Sequence, residues 1–171
     1  TDNKTKNVLR IENVGDGWLR GIELEQRIDF RGSGKSYSGL SLWANESFLD
    51  SEVQVKNGPK RPFNEQPDFI ANFGFGYDHI STGVSLDVSA QFRGNIEKFK
   101  ADKNEQEKEK EQWTLDLGIR KTLGQNMSLF FDALNLTDAK KKKTKLLGNG
   151  EREDEIESTG TLYIVGIKGR F

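Results

Sequence analysis

Thr161-Leu162-Tyr163-Ile164-Val165-Gly166-Ile167-Lys168-Gly169-Arg170-Phe171 is the stretch that decides the fold, because its chemistry alternates and the sequence ends on an aromatic. Successive strand side chains point to opposite sides, so Tyr163, Val165, Ile167 and Phe171 share one face while Gly166, Lys168 and Arg170 share the other. An apolar face opposite a glycine-and-cation face, closing on a terminal Phe, is the pattern expected where the last strand of a transmembrane β-barrel closes its wall. An edge strand of a soluble sandwich would alternate in the same way, so the rest of the chain has to decide.

Working back from the terminus, about eight segments alternate with period two. Val8 to Asn13 is short. Trp18 to Phe30 sets Trp18, Ile22, Leu24 and Ile28 against Glu23, Glu25, Arg27 and Asp29. Tyr37 to Phe48 follows, with Trp43 breaking the rule, and then Phe69 to Tyr77. Gly83 to Arg93 is the clearest segment, with Val84, Leu86, Val88, Ala90 and Phe92 against Ser85, Asp87, Ser89, Gln91 and Arg93. Trp113 to Lys121 repeats the pattern, and Met127 to Leu136 is apolar on both faces apart from Ser128, Asp132 and Asn135. Segments of about ten residues fit a tilted crossing of the hydrocarbon layer.

The connections alternate as well. Arg31 to Ser36, His79 to Thr82 and Leu123 to Asn126 are tight, whereas Leu49 to Asp68, Gly94 to Gln112 and Thr137 to Gly160 are long. Strict alternation puts every short turn at one end of the sheet and every long loop at the other, as in outer-membrane barrels. A soluble sandwich has no reason to sort its connections by end. The expected fold class is therefore all-β: an antiparallel transmembrane β-barrel.

Composition supports strands and turns. Among 171 residues there are 18 Gly and 11 Phe, one His, one Met and no Cys. A mean hydropathy of −0.74 excludes spanning helices, which need about 20 consecutive apolar residues. It does not exclude a barrel, where only alternate residues face lipid. The net charge of −1 argues for no nucleic-acid partner. No apolar leader opens the chain at Thr1 to Lys6, so a leader has been removed or the protein starts elsewhere. Without Cys there is no disulfide framework.

No catalytic, cofactor or metal site stands out. His79 sits beside a short turn and reads as a polar turn residue, so a Ser-His-Asp arrangement is not expected. Glu23 and Glu25 share a face and read as solvated lumen carboxylates answering Arg27 and Lys168. The charged stretches Lys98 to Glu111, Lys140 to Lys145 and Glu151 to Glu157 read as solvated extracellular loops. Contact with phosphorylated lipopolysaccharide or an anionic ligand at the cell surface is the alternative for them.

Four segments resemble one family in the right order. Glu12-Asn13-Val14-Gly15-Asp16-Gly17-Trp18-Leu19-Arg20-Gly21-Ile22-Glu23-Leu24-Glu25 looks like the Asn, then Gly, then Gly-hydrophobic-Glu signature of TonB-dependent outer-membrane receptors. Arg61 to Phe69 is similar to a segment that enters one of their later strands. Leu129 to Asp138 resembles a family strand end, and Gly160 to Phe171 its final strand. The resemblance implies that residues 1–171 are a single carboxyl-terminal segment of a plugged barrel of about 22 strands, with plug and earlier strands absent. It implies outer-membrane localisation, TonB-energised uptake of an iron chelate, haem, cobalamin or glycan, no cofactor and no enzymatic activity. The implied partners are outer-membrane lipid and lipopolysaccharide, TonB through the missing plug, and the barrel-assembly machinery. Tyr163, Val165, Ile167 and Phe171 resemble the signal that this machinery recognises. The competing expectation is a complete eight-stranded barrel acting as adhesin, anchor or lipid-modifying enzyme.

Overall fold

The computed structural model describes residues 15–30, 39–55, 58–100 and 105–170, and among them every regular element is a strand. In chain order these are β1 (Gly15–Asp29), β2 (Leu40–Val55), β3 (Lys60–Arg61), β4 (Phe69–His79), β5 (Val84–Arg93), β6 (Ile96–Lys100), β7 (Glu105–Glu109), β8 (Gln112–Leu123), β9 (Met127–Leu134), β10 (Lys140–Leu146), β11 (Arg152–Ser158) and β12 (Leu162–Gly169). The main sheet is an antiparallel meander ordered β1-β2-β4-β5-β8-β9-β12, with β3 added to β2. Its register runs without interruption from Gly15↔Val55 to Asp29↔Ser41 and on across the sheet. The turns at 80–83 and 124–126 lie at one end, as the alternation of loop lengths requires.

Packing decides the solvent. Among the described residues, the hydrophobic side chains that are buried are Val53, Ala71 and Ala133. Val165 is 77% exposed, Ile167 66% and Ile22 65%. A soluble domain holds together by removing such side chains from water. This sheet removes almost none, so its apolar face is built for a nonaqueous solvent, and the soluble sandwich falls away. That face carries Ile22, Leu24, Leu42, Phe73, Phe75, Val88, Leu117, Phe131 and Val165, drawn from all seven strands of the meander. The stretch from Trp113 to Lys121 spans about 27 Å along its strand, or about 21 Å along the membrane normal at a tilt near 40°, against an apolar band about 25 Å tall. At the loop end of this band Phe48, Phe69, Phe92 and Trp113 form a continuous row, with centroid separations of 4.7, 5.6 and 4.8 Å. Aromatic rings sit at membrane interfaces because one side of each ring is apolar and the other tolerates water.

Three sequence expectations need correction. The charged stretches are not free solvated loops: β6–β7 and β10–β11 are hairpins that join in a second sheet ordered β11-β10-β7-β6. The loop begun at Leu49 starts later, because β2 continues to Val55 against the upper half of β1. Arg27 is hydrogen-bonded to Asp29 at 2.8 Å, with Glu25 acting on it only through its charge and Glu23 not among its partners, and Lys168 lies on β12 at the opposite end of the strand order. The segment Val8 to Asn13, the Glu12 to Val14 part of the family signature, the turn Arg31 to Ser36, and Phe171 lie outside the described residues.

Candidate functional site

Two surfaces can do work here: the polar face of the main sheet and the mouth above it. On the polar face, Asn72 donates to Asn45 Oδ1 at 2.7 Å and Gln91 donates to Asn72 Oδ1 at 3.0 Å, a side-chain ladder across β2, β4 and β5. Such cross-strand pairs fix register. Two aromatics interrupt the polar face, and each lies flat on a glycine. A Cβ built on Gly74 would overlap the Trp43 indole, and one on Gly166 would overlap the Phe130 ring. Glycine at these two positions lets a large ring cover the backbone of the next strand. This explains why Trp43 and Phe130 violate the alternation without leaving the sheet. Asp87 and Asp132 flank Gly118 in register on the same face.

The mouth is built on that side of the wall. Residues 62–68 cross the upper end of β1 and β2: Phe63 donates its N–H to Ser51 Oγ at 3.0 Å, and its ring closes over Gly17. Ser51 and Gly17 belong to the row that carries Ser47 and Glu23 lower down. The segment then satisfies the edge of β6. Asn64 Nδ2 donates to the Phe99 carbonyl at 3.0 Å, Phe99 N–H donates to Asn64 Oδ1 at 3.1 Å, and Glu65 N–H donates to the Glu97 carbonyl at 3.0 Å. One amide side chain thus replaces a strand's backbone pair. The second sheet is thereby tied to the inner rim, and Arg93 on β5 adds a 2.5 Å ion pair to Glu109 on β7.

Lysine is a poor strand former, and a run such as Lys140 to Lys143 would repel itself. It forms β10 because it lies between two acidic strands, β7 and β11. Lys143 meets Glu157 at 2.7 Å, Lys145 meets Glu155 at 2.6 Å, and Lys100 meets Glu107 at 3.5 Å. Glu107 and Glu109 are buried in this array. The hydrogen bond from Lys145, then its charge, lowers the pKa of Glu155, and the hydrogen bonds from Thr144 and Arg152 lower that of Asp154. The hydrogen bonds to Glu157 and Glu155 raise those of Lys143 and Lys145. Depressed carboxylates stabilise the sheet above their unfolded pKa and lose that contribution as pH falls through the folded value. Raised ammonium groups stabilise below their unfolded pKa and lose it as pH rises through the folded value. Amide-exchange protection of residues 140–158 is therefore expected to be flat around neutrality, to fall at both extremes and to weaken in molar salt, with β4–β5 unaffected. Salt-insensitive protection would remove ion pairing as the cause.

The other residues singled out in the sequence are placed as follows. Tyr163, Val165 and Ile167 share the outward face of β12, and Tyr163 stacks on Phe131 with centroids 6.2 Å apart. His79 ends β4, with Nδ1 2.7 Å from Thr82 Oγ1 across the turn. Among the described residues no cluster of three or more His, Cys, Asp or Glu could hold a metal ion. Sequence reasoning missed the strap at 62–68 as a structural unit, although its two prolines and the polar pair Asn64-Glu65 announce an ordered loop.

A twisted sheet with a lipid-directed face, a polar inner face and an aromatic rim is the wall of a transmembrane β-barrel. The family model for the TonB dependent receptor-like β-barrel matches residues 1–136, and the chain belongs to this family of outer-membrane receptors and transporters. No curated protein and no solved structure matches it significantly.

Proposed function

We propose that this chain is the carboxyl-terminal wall and part of the mouth of a plugged receptor that takes up a scarce nutrient with energy from TonB. The observation that carries the reading is the family match over a sheet that has an apolar outer face and almost no buried core. The nutrient class is an iron chelate, haem, cobalamin or glycan. In this reading the polar face meets the plug, the strap and second sheet bound the ligand's entrance, and the outer face meets lipid and lipopolysaccharide. A small adhesin-like barrel is the weaker reading, because the match is to receptor barrels. Cells lacking the receptor are expected to lose accumulation of one labelled nutrient from a panel of ferric citrate, haem, cobalamin and oligosaccharide, and cells lacking TonB should lose it equally. Accumulation that persists without TonB would overturn the proposal.

The final strand has a second role in this reading. Tyr163, Val165, Ile167 and Phe171 together form the signal bound by the barrel-assembly machinery, supported by the common outward face of the first three. Deleting Phe171 should lower insertion in cells while leaving refolding in detergent unchanged. Equal insertion of both forms would count against it.

A further inference from the structure

The strap and β6 bound a cleft of about 270 Å³ whose lining includes Lys60, Arg61, Asn64, Glu97, Lys98 and Phe99. Its charges are unevenly matched. Lys60 pairs with Glu52 at 2.8 Å, Lys98 with Glu65 at 3.3 Å, and Glu97 with Lys108 at 3.5 Å. Arg61 has no acidic partner among the described residues. Its guanidinium lies 4.8 Å over the Phe99 ring, and Nη1 donates to the neutral Asn64 Oδ1. Its Nε is shielded from water and has no acceptor. Arg61 is half-buried, and the shielded Nε left unpaired carries a cost of its own. The ring beneath and the amide at one end hold the group in a fixed plane, so its cation is held facing the cleft with no acid to neutralise it, which suits an oxoanion.

We propose that this cleft is a subsite for a carboxylate- or phosphate-bearing ligand, with Arg61 as the anion-binding group and Phe99 and Asn64 as the residues that position it. The proposal rests on the uptake reading and narrows it: the nutrient, free or as a metal chelate, carries an exposed oxoanion. An uncharged oligosaccharide would leave Arg61 unmatched.

The test uses the full receptor purified in detergent, titrated calorimetrically with citrate, inorganic phosphate and, as the neutral control, maltose. Saturable binding of citrate or phosphate is expected, weakened about tenfold or more in Arg61→Gln, partly restored in Arg61→Lys, and unchanged in Lys121→Gln, at the short-turn end of β8. If Arg61→Gln does not assemble, Arg61→Lys against Phe99→Leu separates charge from stacking: both fold with the cation retained, and both should bind more weakly than the parent. No binding by the parent, or equal binding by the Arg61 variants, overturns the subsite. TonB-dependent accumulation that survives in Arg61→Gln would sink the subsite and leave the uptake reading standing. Anion binding without TonB-dependent accumulation would do the reverse.

Discussion

Replacing Leu117 by Arg is expected to destabilise the membrane-inserted wall by about 2–4 kcal/mol, whereas Ser89→Arg, one strand away, is expected to change it little. Leu117 pairs with Val88 midway between the aromatic row at Trp113 and the cation Lys121, so its side chain lies near the centre of the apolar band. A cation there must be desolvated or drag water and headgroups inward. Ser89 pairs with Asp116 on the opposite face, where an arginine would find a carboxylate and water. Urea unfolding of the receptor refolded into bilayers measures both. If the two variants are equally destabilised, the faces have been assigned the wrong way round or the sheet does not meet lipid. At tenfold per 1.4 kcal/mol, the expected loss is large enough to appear in cells as a failure to accumulate in the outer membrane.

The wall was legible in the sequence because lipid and lumen impose a strict period of two on each spanning strand. From Val84 to Phe92 every inward position is polar and every outward one apolar, and β5 begins and ends within a residue of where that pattern does. Trp43 and Phe130 escaped because an aromatic over a glycine satisfies the inner face through a contact between strands, which no single strand displays. The second sheet escaped for a different reason. Its strands are held by opposite charges on neighbouring strands, so a search for alternating hydrophobicity finds nothing in Lys140 to Lys145, and composition alone reads it as a solvated loop. Complementarity between Lys140 to Lys145 and Glu151 to Glu157 was visible in the sequence. Its meaning depended on the antiparallel register that sets Lys143 against Glu155 and Lys145 against Glu153. Arg61 was unreadable as a site, because its importance lies in what it lacks.

Removing the Asn135 side chain is expected to loosen the entire loop end of β8, β9 and β12. Asn135 follows the last residue of β9 with φ at 56°, in the left-handed region, where Asn is among the few residues with a side chain that can sit at modest cost. Its N–H donates to Asp116 Oδ1 at 2.7 Å, and Thr161 Oγ1 donates to its carbonyl at 3.0 Å. Its side chain donates to the Gly160 carbonyl at 3.0 Å and accepts from Ala139 N–H at 2.8 Å. One residue thereby joins the end of β9, the start of β12 and the departure towards β10. With neutral hydrogen bonds contributing about 0.5–1.5 kcal/mol each and left-handed backbone costing a non-glycine residue about 1 kcal/mol more, Asn135→Ala should lose about 2–4 kcal/mol. Asn135→Gly removes the same side-chain bonds without the backbone cost, so it should fall between alanine and the parent. Urea unfolding in bilayers gives the order, and amide exchange at residues 158–163 locates the loss. If glycine and alanine are equally damaging, the backbone conformation contributes nothing. If neither differs from the parent, the junction is held instead by the Leu136 N–H to Leu115 carbonyl bond of 2.7 Å and the Thr137 hydroxyl on the Trp113 carbonyl at 2.9 Å, both of which survive the substitution.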